Sequence, residues 1–269
     1  MKIVGFEKDG ERVIGSVDSD GNVHSLAKLD AFWRDPSLDQ TGEAVGPLSS
    51  LRTCPAVPTT ARVICVGLNY RLHANESGLP IPEIPVIFAR WASTLAVDGE
   101  PVPCVEEQFD WEAELGAVIG RKMFRVTASQ AEAGIFGYVA FNDLSARGFQ
   151  TATTQWILGK NSDASGPMTP IVTADEVDPV AGLRISTTVN GVIKQDSTTA
   201  DMIFTVPQII EYVSQVMTLL PGDLIITGTP SGVGWATGEF LKPGDQVAVT
   251  IEGIGTVNTP IVAPPPAIV

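Results

Sequence analysis

The sequence predicts a β-rich α+β fold with a small β domain at its N-terminus, on three observations. Glycine (26) and proline (20) are plentiful in a chain of 269 residues, which favours many short strands and tight turns over long helices. Apolar residues recur in runs of strand length, several of them with two-residue alternation. The clearest helix signals are two short segments that open with a capping-box spacing.

Residues 1–33 begin with "KIVGFEKDGERVIGSVDSDGNVHSL", where alternating apolar positions are broken by KDG and SDG turn signals; small antiparallel strands are expected. A short helix follows in "AKLDAFWRD". Residues 36–60 are rich in Pro, Gly, Ser and Thr and read as a connector. The boundary placed there makes residues 1–58 the N-terminal β domain with its connector and residues 59–269 the main domain. "ARVICVGLNY" reads as a buried strand, and "RLHANESG" as one or two helical turns ended by Gly78. "PVIFARWAS", "ELGAVIG" and "GYVAFNDLSA" are further strands. "TASQAEAGIFG" sets Thr127 three residues before Gln130 and predicts a short helix. "TVPQIIEYVSQVM" repeats that spacing with Thr205 and Gln208, has Pro207 in its first turn, and carries a helical stripe of Ile209, Ile210, Val213, Val216 and Met217. "LRISTTVNGVIKQD", "GDLIITGTP" and "GDQVAVTIEGIGTVNTPIV" complete the strand set.

Charge and cysteine usage narrow the function classes. With 31 acids against 17 bases the net charge is −14, which opposes binding to nucleic acid or to an anionic membrane. Cys54, Cys65 and Cys104 are scattered and lack CxxC spacing, so reduced thiols in a cytoplasmic setting are expected rather than disulfides or a zinc site. The N-terminus "MKIVGFEKDG" is charged at once, unlike a signal peptide or a membrane span.

The stretch "FDWEAELGAVIG", Phe109 to Gly120, holds the first candidate chemistry. In an extended chain Asp110, Glu112 and Glu114 share one face, and Trp111, Ala113 and Leu115 the other. Asp143, in "FNDLSAR" at the end of another expected strand, is a further acid. Carboxylates without His or Cys make a hard-oxygen site suited to Mg²⁺, Mn²⁺ or Ca²⁺. A lone E-x-E is otherwise a solvated strand face. Of two histidines, His73 stands three residues before Glu76, and on a helical turn the carboxylate would orient the imidazole as a base. The alternative is a surface pair. His24, among the N-terminal strands, reads as structural or exposed. Arg147, Gln150 and Lys160 follow Asp143 and could hold a substrate carboxylate or stabilise an enolate. Finally, "GDLIITGTPSGVG" runs a strand into a turn whose amides and Thr227 and Thr229 hydroxyls could cup an anion. It lacks the GK[ST] ending of a P-loop. No GxGxxG opens a helix after a strand, and no G-x-S-x-G elbow is present.

Taken in order, "VGLNYRLHANESG", "PVIFARWAST", "DWEAELGAVIG", "GYVAFNDLSAR…Q", "QWILGKNSD…GPM", "VNGVIKQDSTTADMIF" and "MTLLPGDLIITGTPSGVG" resemble the fumarylacetoacetate hydrolase family, from about Val63 to Val262. The resemblance implies a mixed β-sandwich roll, with residues 59–269 as its catalytic domain, and a homodimer. It implies Glu112, Glu114 and Asp143 as ligands of Mg²⁺ or Mn²⁺. Lys160 would stand beside the metal, and His73 with Glu76 would form a water-activating pair on a lid. Tyr70, Arg147, Gln150 and Thr229 match substrate-contacting positions. The implied activity is hydrolysis of a C–C bond in an acylpyruvate-type 2,4-dioxo acid through a metal-stabilised enolate. The alternatives on the same site are decarboxylation of oxaloacetate or another 2-oxo acid and isomerisation of a 2-oxo acid; a third is a non-catalytic 2-oxo-acid-binding protein. The chain departs from the family pattern at Arg90, where lysine is common, at "KNSD" for "KSFD", at Thr169, and in the uncharged loop "GFQTATTQWILG". These departures bear on the substrate more than on the metal.

Overall fold

The run Ala113–Ile119 is buried along its whole length, so both of its faces must be covered. It sits inside the larger of two main sheets in the computed structural model, which describes residues 1–38 and 42–267. It pairs antiparallel with Ile135–Asn142 on one side and with Leu224–Ile226 on the other. Leu224–Ile226 runs parallel to Arg62–Gly67, and that strand pairs with Val86–Trp91 at the sheet's end. In the other direction Ile135–Asn142 pairs with Ile171–Thr173, and Ile171–Thr173 with Lys2–Lys8.

The strands of residues 1–28 therefore continue the main sheet, joined to it by the Lys2–Val172 register. Lys2–Lys8, Glu11–Val17 and Asn22–Lys28 form the expected antiparallel set, and the first turn has Asp9 and Gly10 both at positive φ, as a tight hairpin of this hand requires. The connector holds more structure than its composition suggests. Glu43–Pro47 pairs with the Asn22–Lys28 strand, and Thr53–Cys54 pairs with Gly5 and Phe6. Edge strands carry unpaired main-chain groups, and short flanking segments satisfy them whatever their side chains. Residues 39–41 of the connector lie outside the described residues.

A second sheet runs in the order Val192–Thr198, Arg184–Val189, Gln246–Ile251, Gly255–Val262 and Val102–Pro103. Ala113, Leu115, Ala117 and Ile119 meet Ile185, Val249, Ile251 and Val257 from this sheet in one apolar cluster. Val118, Val139, Phe141 and Ile226 point the other way, into a second cluster with Ile3, Ile14, Phe32 and Trp33. The result is a mixed β-sandwich with few helices, as expected. Helix Val206–Ser214 buries Ile209, Ile210 and Val213 against the first cluster. Both predicted capping boxes form, Thr127 with Gln130 and Thr205 with Gln208. Val216 departs from the expected stripe, lying past the last helical residue and 85% exposed, while Met217, also past the helix, still packs against the first cluster. Among the described residues no helix is long and apolar enough to cross a membrane.

Candidate metal centre and cleft

The acid-rich stretch is not one continuous strand. Phe109–Asp110 pairs with Ser145–Ala146 in a small ladder, and Ala113 begins the long strand. At the break, side chains replace the missing ladder partners. The Asp110 carboxylate accepts the amides of Trp111 (2.8 Å), Gly234 (2.7 Å) and Trp235 (2.9 Å), and the Ala113 amide donates to Gln195 Oε1 at 2.9 Å. The Asp143 amide donates to the Glu112 carbonyl at 2.9 Å, which brings two acids remote in sequence side by side.

Glu112, Glu114 and Asp143 each offer an oxygen, and these oxygens lie within 4.8 Å of one another. All three residues are buried, at 6%, 1% and 0% exposure, so the solvated-face alternative does not hold. Cations crowd the cluster. Lys160 Nζ contacts Glu112 Oε2 at 2.5 Å and Asp143 Oδ2 at 2.7 Å. Arg147 bridges Asp110 and Glu112, at 2.7 Å to each. Arg90 donates to Asp143 Oδ1 at 2.6 Å and to Ser165 Oγ at 2.5 Å.

Four buried carboxylates thus face three buried cations, and among the described residues Glu114 is the acid with no cationic partner. Its carboxylate accepts the Gly228 amide instead. Burial, together with the Asp143 and Glu112 charges, pushes the Glu114 carboxyl well above the usual range. Burial also works to raise Glu112, but Lys160 and Arg147 overcome it and hold that carboxyl at about 2. For Lys160 burial opposes the charge, yet Asp143 and Glu112 win and raise its pKa. A hard divalent cation fits this set: three convergent oxygens, no soft donor among them, and one surplus buried negative charge.

The remaining expected residues are only partly gathered. Helix Arg71–Glu76 carries His73 and Glu76, with Nδ1 3.2 Å from Oε2 and exposures of 14% and 25%. The Glu76 carboxylate also accepts the Gly232 amide, at 3.0 Å and 3.2 Å from its two oxygens. His73, Glu112, Glu114, Gln150, Lys160 and Thr229 line one cavity of about 290 Å³. Arg147 does not line it; its guanidinium is taken up by Asp110, Glu112 and Gln150 Oε1. Tyr70 is fully buried in the apolar core and does not line that cavity, and its hydroxyl has no hydrogen-bond partner among the described residues. The glycine-rich turn does cup anions, but they are the protein's own carboxylates: Glu114 at Gly228, Glu76 at Gly232, and Asp110 at Gly234 and Trp235. The Thr227 hydroxyl donates to the Leu115 carbonyl, and Thr229 Oγ1 accepts from Gln195 Nε2. His24 meets Asp18 at 2.9 Å near the surface, remote from the cleft's lining.

Sequence reasoning missed three parts of this site. Asp110 entered as a third acid without a task, although a carboxylate two residues before E-x-E, on the same strand face, hinted at one. Arg90 stood out only as a departure, yet a lone arginine inside an apolar strand is itself a sign of a buried partner. Gln195, 1% exposed and bonded to Ala113, Thr187, Thr229 and Pro230, has no local signal at all.

Comparison with known proteins decides the family. The model of the fumarylacetoacetate hydrolase C-terminal domain matches residues 62–262. The chain belongs to the fumarylacetoacetate hydrolase family. Within that family it is 38% identical to oxaloacetate tautomerase YisK of Bacillus subtilis, over 86% of this chain and 80% of the relative. Among solved structures, a 2-hydroxyhepta-2,4-diene-1,7-dioate isomerase from Mycobacterium marinum is 33% identical with a TM-score of 0.79, over 98% of each chain. The fumarylpyruvate hydrolase of Pseudomonas aeruginosa, solved with Mn²⁺ and pyruvate, is 30% identical with a TM-score of 0.70, over 85% of this chain and 94% of that one. Such family members are enzymes, and the first-named relatives are a tautomerase and an isomerase rather than C–C hydrolases.

Proposed function

We propose that this family member catalyses the metal-assisted keto–enol tautomerisation of a 2-oxo acid, as a cytoplasmic homodimer using Mg²⁺ or Mn²⁺. The observation that carries this reading is one small cavity with Glu112, Glu114, Lys160 and His73 on its wall, with Asp143 completing the acid cluster and Glu76 paired to His73. Its relatives named for tautomerisation and isomerisation of 2-oxo and dienoic acids weigh in the same direction. Glu112, Glu114 and Asp143 would hold the metal ion. When bound there, the ion supplies Lewis-acid stabilisation of the charge that develops on the 2-oxo oxygen.

The residues of the chain do the rest. A carboxylate can only accept, so Glu76 holds the His73 proton on Nδ1 and leaves the Nε2 lone pair free. That nitrogen takes the proton from C3 of the substrate and returns it at the oxygen, or the reverse. Gly232 in turn fixes Glu76. Lys160, kept charged by Asp143 and Glu112, adds a fixed positive charge beside the acid cluster.

Hydrolysis of an acylpyruvate is the second reading, because a His–Glu pair that can take a proton from carbon can also take one from water. The test is a spectroscopic assay of enol-oxaloacetate conversion beside one of acylpyruvate cleavage, each with Mg²⁺ or Mn²⁺ and with EDTA. Metal-dependent tautomerisation is expected, abolished by the chelator. His73→Ala should lower it by about 10²–10⁴ while leaving Mn²⁺ affinity near wild type. Full tautomerase activity in His73→Ala would remove the base from the mechanism. Cleavage outpacing tautomerisation would favour the second reading.

A further inference from the structure

The cleft's lining is of two kinds, charged and polar side chains on one hand and apolar ones on the other. Besides Glu112, Glu114, Lys160 and His73 it is walled by Leu68, Leu79, Val86, Phe88 and Trp156. Phe88 and Trp156 meet edge to face, with ring centroids 5.3 Å apart and planes at 66°. Phe88 also has the Lys160 ammonium 5.2 Å from its ring centre, so the aromatic wall abuts the charged lining directly.

Trp156 is built into place. A Cβ on Gly67 would lie 2.5 Å from Trp156 Cζ3 and 2.8 Å from Cη2. The backbone of Gly67 is not at positive φ, so its conformation does not call for glycine; the indole does. Leu68, the next residue, is held at φ +53°, a left-handed conformation that disfavours a leucine, and it too lines the cleft. Trp156 stands in the segment QWILGKNSD, four residues before Lys160.

Among the residues lining the cavity, Lys160 is the one lysine or arginine, and it is engaged by Glu112 and Asp143. His73 is neutral in its role as base. A second substrate carboxylate directed along C3 against these rings and aliphatic groups would therefore be desolvated with no uncommitted cation to pair it.

Resting on the tautomerase reading, we propose that the apolar wall of this cleft takes an apolar, flat substituent at C3, so that aryl- and alkylpyruvates are preferred over dicarboxylic 2-oxo acids, with Trp156 as the specificity-determining residue. The reaction is the same isomerisation: the C3–H bond breaks, its electron pair forms the C2–C3 double bond, and the proton passes by way of His73 to the C2 oxygen. No oxidant or co-reactant is needed.

The experiment compares kcat/KM for phenylpyruvate and oxaloacetate tautomerisation by the Mn²⁺-loaded full chain, in wild type, Trp156→Ala and Trp156→Arg. Circular dichroism checks each variant's fold. Wild type is expected to favour phenylpyruvate by about tenfold or more, Trp156→Ala to lower that ratio about tenfold, and Trp156→Arg to move it further toward oxaloacetate. A smaller wild-type preference, or ratios unmoved in both variants, overturns the proposal. If neither compound is tautomerised, the tautomerase reading fails, and calorimetric titration of each into the Mn²⁺-loaded protein decides the subsite. Tighter phenylpyruvate binding then supports it, and equal or weaker binding overturns it.

Discussion

At the scale of the residue, Glu114 concentrates the electrostatics of the site. It is 1% exposed, it lacks a cationic partner among the described residues, and two further carboxylates stand beside it. Without a metal this charge is a liability, and its carboxyl is driven toward the protonated form. Replacing Glu114 with Gln removes the liability and one ligand together. The metal-free protein should keep or gain thermal stability, while the rise in Tm on adding Mn²⁺ should largely disappear. Thermal scans with and without Mn²⁺ check both halves. A variant that loses stability without metal yet keeps the Mn²⁺ response would show that the surplus charge is placed elsewhere. Asp110 makes the contrasting case. Its oxygens are satisfied by three amides and by Arg147, so it organises the glycine-rich turn and Arg147 rather than offering a lone pair to an ion.

At the scale of the element, the site depends on strand ends rather than on strand middles. Ala113–Ile119 starts at the acids, Ile135–Asn142 stops one residue before Asp143, and Leu224–Ile226 leads into the turn that carries Thr229. Their pairing in one sheet carries all three termini to the same edge. Helix Val206–Ser214 supports that sheet from beneath through Ile209, Ile210 and Val213. Its capping box satisfies main-chain donors that the first turn leaves open. Thr205→Ala should cost about 1 kcal/mol of unfolding free energy, read by urea denaturation, with metal affinity unchanged because the helix touches none of the ligands. A large loss of Mn²⁺ binding would instead mean that the helix positions the acid trio directly.

At the scale of the whole molecule, large apolar side chains are exposed along one stretch: Leu79 (53%), Ile81 (52%), Ile84 (58%) and Trp91 (54%), close to the cleft's own Val86 and Phe88. Exposed apolar density of this kind beside a cleft is the composition of a docking surface. The family-based expectation of a homodimer assigns that surface to a second copy. Light scattering coupled to size exclusion should give about twice 28.4 kDa, and Trp91→Glu should shift the mass toward the monomer. A monomeric wild type at micromolar concentration would leave this stretch to a different partner.

By itself the sequence determined the local features: the turn-broken N-terminal strands, the two capping boxes, the helical turns ended by Gly78, and the types of side chain offered for chemistry. Each depends on neighbours within a few residues, through backbone preference, side-chain period or short-range hydrogen bonding. Glu112 and Glu114 were legible as a pair for that reason, and Asp143, Lys160 and His73 were placed with them through the ordered resemblance to a family. Tertiary structure decided which charges meet and which stay unpaired. Arg90 reaches Asp143 across 53 positions, Gln195 reaches Ala113 across 82, and Gly228 reaches Glu114 across 114. The same folding withdrew Tyr70 and Arg147 from the cleft wall and set Trp156 over Gly67. Sheet order and sandwich packing govern those distances, and neither is written in the spacing of any single segment. The preference of buried charge for a partner acts only once the chain has closed around it.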